Sequence, residues 1–142
     1  MYVITTTHLD PMSGTVYYSS LAGKFKNQPT NCGIEENSSE LRGALLATLQ
    51  GLAWISDHWG TSDRFPVDVL TTSPVVANVL RETVSSGTLP DDENGDLWQL
   101  LLAKRAQFDL NFVTSHGASP HILTIWRWSS TPPIDAFLPP DR

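Results

Sequence analysis

The sequence predicts an α/β domain built on a mixed five-stranded sheet with helices packed against it. Three observations predict it. The N-terminal third consists of short β-branched and aromatic runs separated by turn signals. A long segment follows with leucines at helical spacing. Beyond it, strand-like and helix-like runs alternate, which is the pattern of βα units. Three antiparallel strands giving way to βα alternation make a sheet of mixed direction.

Residues 2–7, "YVITTT", predict the first strand. Residues 10–14, "DPMSG", are a turn signal, since Asp, Pro and Gly each favour backbone that leaves a ladder. The second strand follows in "TVYYSSLAG", where Val16 and Tyr18 alternate with Tyr17 and Ser19. A third, from Thr30 to Ile34, completes an antiparallel meander. Leu41, Leu45, Leu49 and Leu52, with Ala44 and Thr48 beside them, form the apolar stripe of a helix. Leu46, Ala53 and Trp54 widen that stripe and predict burial on more than one side. The helix stops near the polar run "DHWGTSD".

"FPVDVLTTS" predicts the next strand, and a helix opens at Pro74 with Ser73 as its N-cap. After the loop "SSGTLPDDENGD" comes a third helix, "LWQLLLAKRAQF", with Asp96 as its N-cap. "DLNFVTSH" is the last strand, ending at His116. The periodicity of "HILTIWRWSS" fits helix and strand alike. Residues 1–130 are expected to form one domain, and 131–142, with four prolines, an extended tail.

A chain of 142 residues is long enough to bury a substantial core. No apolar run has the length of a membrane span, and the N-terminus lacks the basic and apolar regions of a signal peptide. An intracellular (cytoplasmic or nuclear) or virion-internal location is therefore expected, not secretion. The single cysteine, Cys32, excludes an intrachain disulfide and a multi-cysteine zinc site. The formal net charge is -6, and the nine Lys and Arg residues are scattered. That argues against strong nonspecific nucleic-acid binding, which needs a basic stripe. It leaves open a site built on bound metal ions, which acidic clusters attract.

The element order, with three local motifs, resembles the ribonuclease H fold of cellular and retroelement RNases H. "NSSELRGALLATLQGL" is similar to that family's Asn/Thr-rich lead, Glu-Leu pair and Ala/Leu-rich first helix. "VDVLTTSPVVANVL" is similar to its strand, "TDS"-type turn and helix. "DLWQLLLAKRAQFDLNFVTSHGASPH" is similar to its "DLW" helix and the strand that ends in a histidine. The resemblance runs from about residue 2 to 121, in order. It implies two-metal phosphodiester hydrolysis, with Mg²⁺ or Mn²⁺ ions about 4 Å apart held by a cluster of carboxylates.

Carried over position by position, the resemblance puts the first-strand acid at Thr6 or Thr7 and the acid of the "TDS" turn at Ser73, all hydroxyls. The helix glutamate falls on Glu40 and the histidine on His116, both retained. The last acid should follow on "HILTIWRWSS", which holds none. Asp10 could substitute only if the strand register differs; Asp68 should point to the other side of its strand, and Asp135 lies in the tail. The loop "LPDDENGD" stands where cellular members often carry a basic protrusion. It bears Asp91, Asp92, Glu93 and Asp96 and would repel phosphates.

The resemblance thus implies a degenerate RNase H-like domain that serves as a structural or binding module and needs no cofactor. Domains of that kind occur in retroelement reverse transcriptases and in ribonucleoproteins. A protein partner is expected, with weak nucleic-acid binding as the other reading and no membrane. The alternative is an active RNase H that uses Glu40, Asp10 and His116, with Glu40 and Asp10 as metal ligands. Glu40 has a structural reading too, at the third position of a capping box opened by Asn37. In "WRW", a strand would place Trp126 and Trp128 on one face and Arg127 on the other. That gives either a stacking platform for single strands or core packing.

Overall fold

Turn chemistry and alternation build the sheet in the predicted order. The computed structural model describes residues 2–23, 30–59, 64–71, 73–90 and 92–114. They form β1 (Tyr2–Leu9), β2 (Val16–Gly23), β3 (Thr30–Glu35), α1 (Glu40–Trp59), β4 (Phe65–Leu70), α2 (Pro74–Ser86), α3 (Gly95–Ala103) and β5 (Phe108–Val113). A 3-10 turn, Lys104–Ala106, leads from α3 to β5. The strand order is β3-β2-β1-β4-β5. β2 is antiparallel to both β1 and β3, whereas β4 is parallel to both β1 and β5. The predicted mixed sheet is therefore the observed one.

The β1–β2 hairpin closes through the "DPMSG" turn. Asp10 Oδ1 accepts from the Met12 N–H at 3.0 Å, and Gly14 takes a φ of 72°, which a side chain would resist. One face of the sheet carries the helices. Val3, Val67, Val69, Phe108 and Phe112 pack there against Leu45, Leu52 and Ile55 of α1, Leu80 of α2, and Leu97, Trp98 and Leu101 of α3. Gly51 allows α1 to approach closely, since a Cβ there would lie 2.4 Å from Val3 Cγ1. The other face carries a second buried cluster of Tyr2, Ile4, Leu21 and Leu70, with Val113 at its edge. That cluster includes no residue of α1, α2 or α3.

Several expected details change. β4 stops at Leu70 and does not reach residue 73, because Ser73 is the N-cap of α2, accepting from the Val76 N–H at 3.4 Å. The cap and Pro74 are as the sequence predicts. The third helix begins at Gly95 with Asn94, not Asp96, in the capping position. It gives out at Ala103, because Phe108 is taken into the sheet opposite Phe65 and is fully buried there. β5 ends at Val113, short of residue 116. In α1, Leu45 and Leu52 of the leucine stripe are buried and Leu41 and Leu49 partly so, but Ala53 is exposed. Trp98 is wholly buried, whereas Trp54 is half-buried and stacks on His58 at 4.2 Å between centroids. Among the described residues no helix is long and apolar enough to cross a membrane.

Candidate functional site

The end of β1, the start of α1 and the start of α2 hold the positions at which the sequence places its site. α1 runs antiparallel over β1. Gly51 sits on Val3, and a Cβ on Gly43 would meet Val16 Cγ2 at 2.8 Å and Thr7 Cγ2 at 3.2 Å. The start of the helix is tied to the β1–β2 turn by Ser38 N–H donating to Gly14 O at 2.8 Å. Glu40 and Asp10 are thereby brought to the same end of the sheet.

Their side chains do separate jobs there. Glu40 is the first residue of α1 and is exposed. The capping box expected from Asn37 is absent. Ser39 is the cap, its Oγ accepting from the Arg42 N–H at 3.2 Å and its carbonyl from the Gly43 N–H at 3.0 Å. Asn37 instead adopts a φ of 50°, a left-handed turn conformation that Asn tolerates, so it cannot be the capping residue. Asp10 spends one oxygen on its own turn. Among the described residues no group of three His, Cys, Asp or Glu side chains comes together in a way that holds a metal.

Two of the hydroxyl positions, Thr6 and Ser73, are engaged internally. Thr6 Oγ1 and Ser19 Oγ share a hydrogen bond of 2.5 Å across the β1–β2 pair, and both residues are buried. Thr5 Oγ1 donates to Leu70 O at 3.0 Å, which links β1 to the end of β4. Thr7 turns its methyl toward α1, and Ser73 caps α2. Asp68 lies on the strand at the register position of Tyr2 and Asn111, and Asn111 Nδ2 donates to its Oδ1 at 3.1 Å. His116, His121, Trp126, Arg127, Trp128 and Asp135, the residue between Asn31 and Gly33 as a side chain, and Asp91 lie outside the described residues.

The carboxylates that do assemble are elsewhere. Arg42, two residues into α1, donates to Glu35 Oε1 at 2.7 Å and grips both oxygens of Asp96 at 3.1 and 3.2 Å. A weaker contact reaches Asn94 Oδ1 at 3.4 Å. One guanidinium thus joins the end of β3, the start of α1 and the start of α3. The hydrogen bonds to Asp96 and then Glu35 hold the guanidinium above its ordinary value, and Arg42 in turn holds the Asp96 carboxyl below its own. Asp96 is largely exposed, so its arm of the network is screened and contributes less than the Glu35 arm. An open cleft of about 430 Å³ lies over this junction, lined by Glu35, Asn37, Arg42, Glu93 and Asp96.

Asp92 completes the junction: Oδ1 accepts from the Asn94 N–H at 2.8 Å and Oδ2 from the buried Trp98 indole at 3.2 Å. An anion beside the first turn of α3 also suits the helix dipole. Sequence reasoning read this loop for its charge and for Asp96 as a cap, and passed over Arg42. The available signal was that Arg42 is the one base in the run 35–63 other than histidine, among five acids at its start and end.

A solved structure shares the fold of this chain. A crystal structure of LC11-RNase H1 in complex with an RNA/DNA hybrid superposes with a TM-score of 0.60, over 80% of this chain and 83% of that one. The fold is ribonuclease H-like. At 11% identity the likeness shows the fold and leaves the chemistry to this chain's own residues. No family model matches the sequence, and no curated protein matches it.

Proposed function

We propose that this chain is a ribonuclease H-like module that works by binding or by structural support, and does not cut nucleic acid. One observation carries the reading: the hydroxyls of Thr6 and Ser73, at two of the expected acid positions, are already engaged within the fold. Thr6 is bonded to Ser19, and Ser73 caps α2. A neutral, engaged hydroxyl does not offset the charge of a divalent ion, which the two-metal mechanism requires. The partner this reading favours is a protein, since the acid-rich end of the sheet disfavours a phosphate backbone. A place within a reverse transcriptase or a ribonucleoprotein belongs to the same reading, as does an intracellular or virion-internal setting.

The second reading is a divergent RNase H in which Glu40 and Asp10 hold Mg²⁺ or Mn²⁺ and His116 assists. The Ser38–Gly14 hydrogen bond favours it to the extent that it brings both acids to one end of the sheet. The experiment is a titration of Mg²⁺ and Mn²⁺ with an RNA/DNA hybrid and the full chain. We expect no cleavage above background, and no difference between the parent and Glu40→Gln. Metal-dependent cleavage that disappears in Glu40→Gln would replace the first reading with the second. Binding to hybrid, duplex and single strands at low salt separates a nucleic-acid partner from a protein partner, because low salt favours phosphate contacts most.

A further inference from the structure

One edge of the sheet is open. β3 is an outermost strand, and among the described residues nothing pairs with it on the side away from β2. The other outermost strand, β5, is less free, because Arg81 Nη2 donates to Phe112 O at 2.7 Å. Hydrogen-bond alternation fixes which backbone groups of β3 are unspent. Asp10 N–H donates to Thr15 O at 2.8 Å, so the β1–β2 ladder opens on a bonded pair there. Along the unbroken register, Tyr17, Ser19 and Leu21 then bond to β1, and Val16, Tyr18 and Ser20 bond to β3. Their partners Glu35, Gly33 and Asn31 face inward. The backbone N–H and C=O of Ile34, and those of its alternate neighbours in the strand, therefore point outward.

Proteins commonly blunt such an edge with a bulge, a proline or a lysine. The register of β3 has no bulge, and its sequence, "TNCGIE", has neither residue. The Ile34 side chain is half exposed beside its cross-strand partner Tyr17. Gly33 leaves the strand bare, with the Tyr18 ring lying where a Cβ would be, 2.3 Å from Tyr18 Cζ. Charge decides what this edge accepts. Glu35 and Glu36 stand at its end, and Glu93 and Asp96 line the same cleft as Glu35. Arg42, the base among the residues lining that cleft, is already held by Glu35 and Asp96. A second copy of this chain would bring the same acids and a net charge of -6, which like-charge repulsion disfavours.

We propose that the outer edge of β3 is a docking site for an extended basic segment of a partner protein, which adds a strand beside Ile34 and sets its Lys or Arg residues by Glu35 and Glu36. Backbone hydrogen bonds supply the attachment, and the acids at the end of the strand supply the selection. The inference rests on the reading of this chain as a protein-binding module, and deepens it by naming the surface and the chemistry of the partner.

Fluorescence anisotropy with the full chain at low salt tests this. The probe is a labelled peptide of two lysines followed by alternating valine and threonine. Its controls are a twin with glutamates in place of the lysines and a form N-methylated along its backbone. We expect the lysine peptide to bind about tenfold or more tighter than the glutamate twin, and the N-methylated form to lose binding. Ile34→Pro should also lose the lysine peptide, while its circular dichroism and Tm stay near the parent, because the Ile34 N–H lies outside the β2–β3 ladder. If Ile34→Pro misfolds, the two control peptides decide the matter on the parent chain. No binding of the lysine peptide, equal binding of the two charge forms, or full binding of the N-methylated form would overturn the proposal. So would a dimer of the parent in sedimentation that Ile34→Pro abolishes, since the edge would then belong to a second copy. Metal-dependent cleavage of an RNA/DNA hybrid by the same preparation would instead remove the module reading. Absence of both binding and cleavage removes this inference alone.

Discussion

Two regions at one end of the sheet use polar groups in opposite ways. Along β1 and β2, where the resemblance leads one to look for an acid, Thr6 and Ser19 are buried and satisfy each other. At the junction of β3, α1 and α3, a few residues away, carboxylates are present and all engaged ones serve as ties. Glu35 and Asp96 hold Arg42, and Asp92 holds Asn94 and Trp98. Neutral pairs tolerate burial and charged pairs sit at the rim, as the cost of desolvation dictates. The lesson is that carboxylates gathered at one end of a ribonuclease H-like sheet can serve as ties between its elements. What matters is whether the carboxylates converge or are already engaged.

The largest expected effect lies in the charged junction. Trp98→Ala removes a wholly buried side chain and the indole donor to Asp92. It should cost about 3–5 kcal/mol in urea unfolding. If the loss is under half of that, the junction is a surface ornament and the contrast weakens.

Next comes the neutral region. Thr6→Asp buries a carboxylate beside Ser19 and should cost about 3 kcal/mol or more at neutral pH. Burial raises that carboxyl above its unfolded value, so the loss should shrink as pH falls toward the unfolded range. If Mg²⁺ restores the stability of Thr6→Asp/Ser73→Asp, the end of the sheet can be rebuilt as a metal site and the contrast breaks.

Arg42→Ala should cost about 1–2 kcal/mol, mostly through the Glu35 arm. It should also change the acid limb. Arg42 lowers the Asp96 carboxyl, so that contribution is present above the unfolded aspartate value and is lost as pH falls through the depressed folded one. A stability profile across this acid range should therefore be flatter in Arg42→Ala than in the parent.

The smallest effect separates two caps. Ser39→Ala should cost about 1 kcal/mol, whereas Asn37→Gly should be close to neutral, since glycine accepts the left-handed conformation. The reverse order would return the cap to Asn37.

The fold was largely legible because its signals are periodic and local. The leucine stripe of α1, the "DPMSG" turn and the Ser73–Pro74 helix start each point to one structure. Boundaries were less so, since they are set by distant partners. Phe108 reads as the end of a helix until Phe65 takes it into the sheet. Asn37 and Ser39 are both good caps in sequence, and only the backbone angle at Asn37 separates them. The site divides along the same line. That Thr6 carries no charge is plain from its letter, whereas its pairing with Ser19 depends on the hairpin register. In the Arg42 junction the lone base among acids was legible, but its partner Asp96, 54 residues away, was not.

The position of β1 has a consequence for how the chain is made. It is made before the other four strands yet lies in the middle of the sheet, and the Thr5–Leu70 hydrogen bond closes over a separation of 65 residues. β2 and β3 can zip onto one edge early, as a meander of near neighbours. The other edge of β1 has no strand to pair with until β4 has been synthesised. For that interval the nascent chain offers an open apolar strand edge, the feature most prone to wrong pairing. That interval runs from the completion of β3 to the arrival of Leu70.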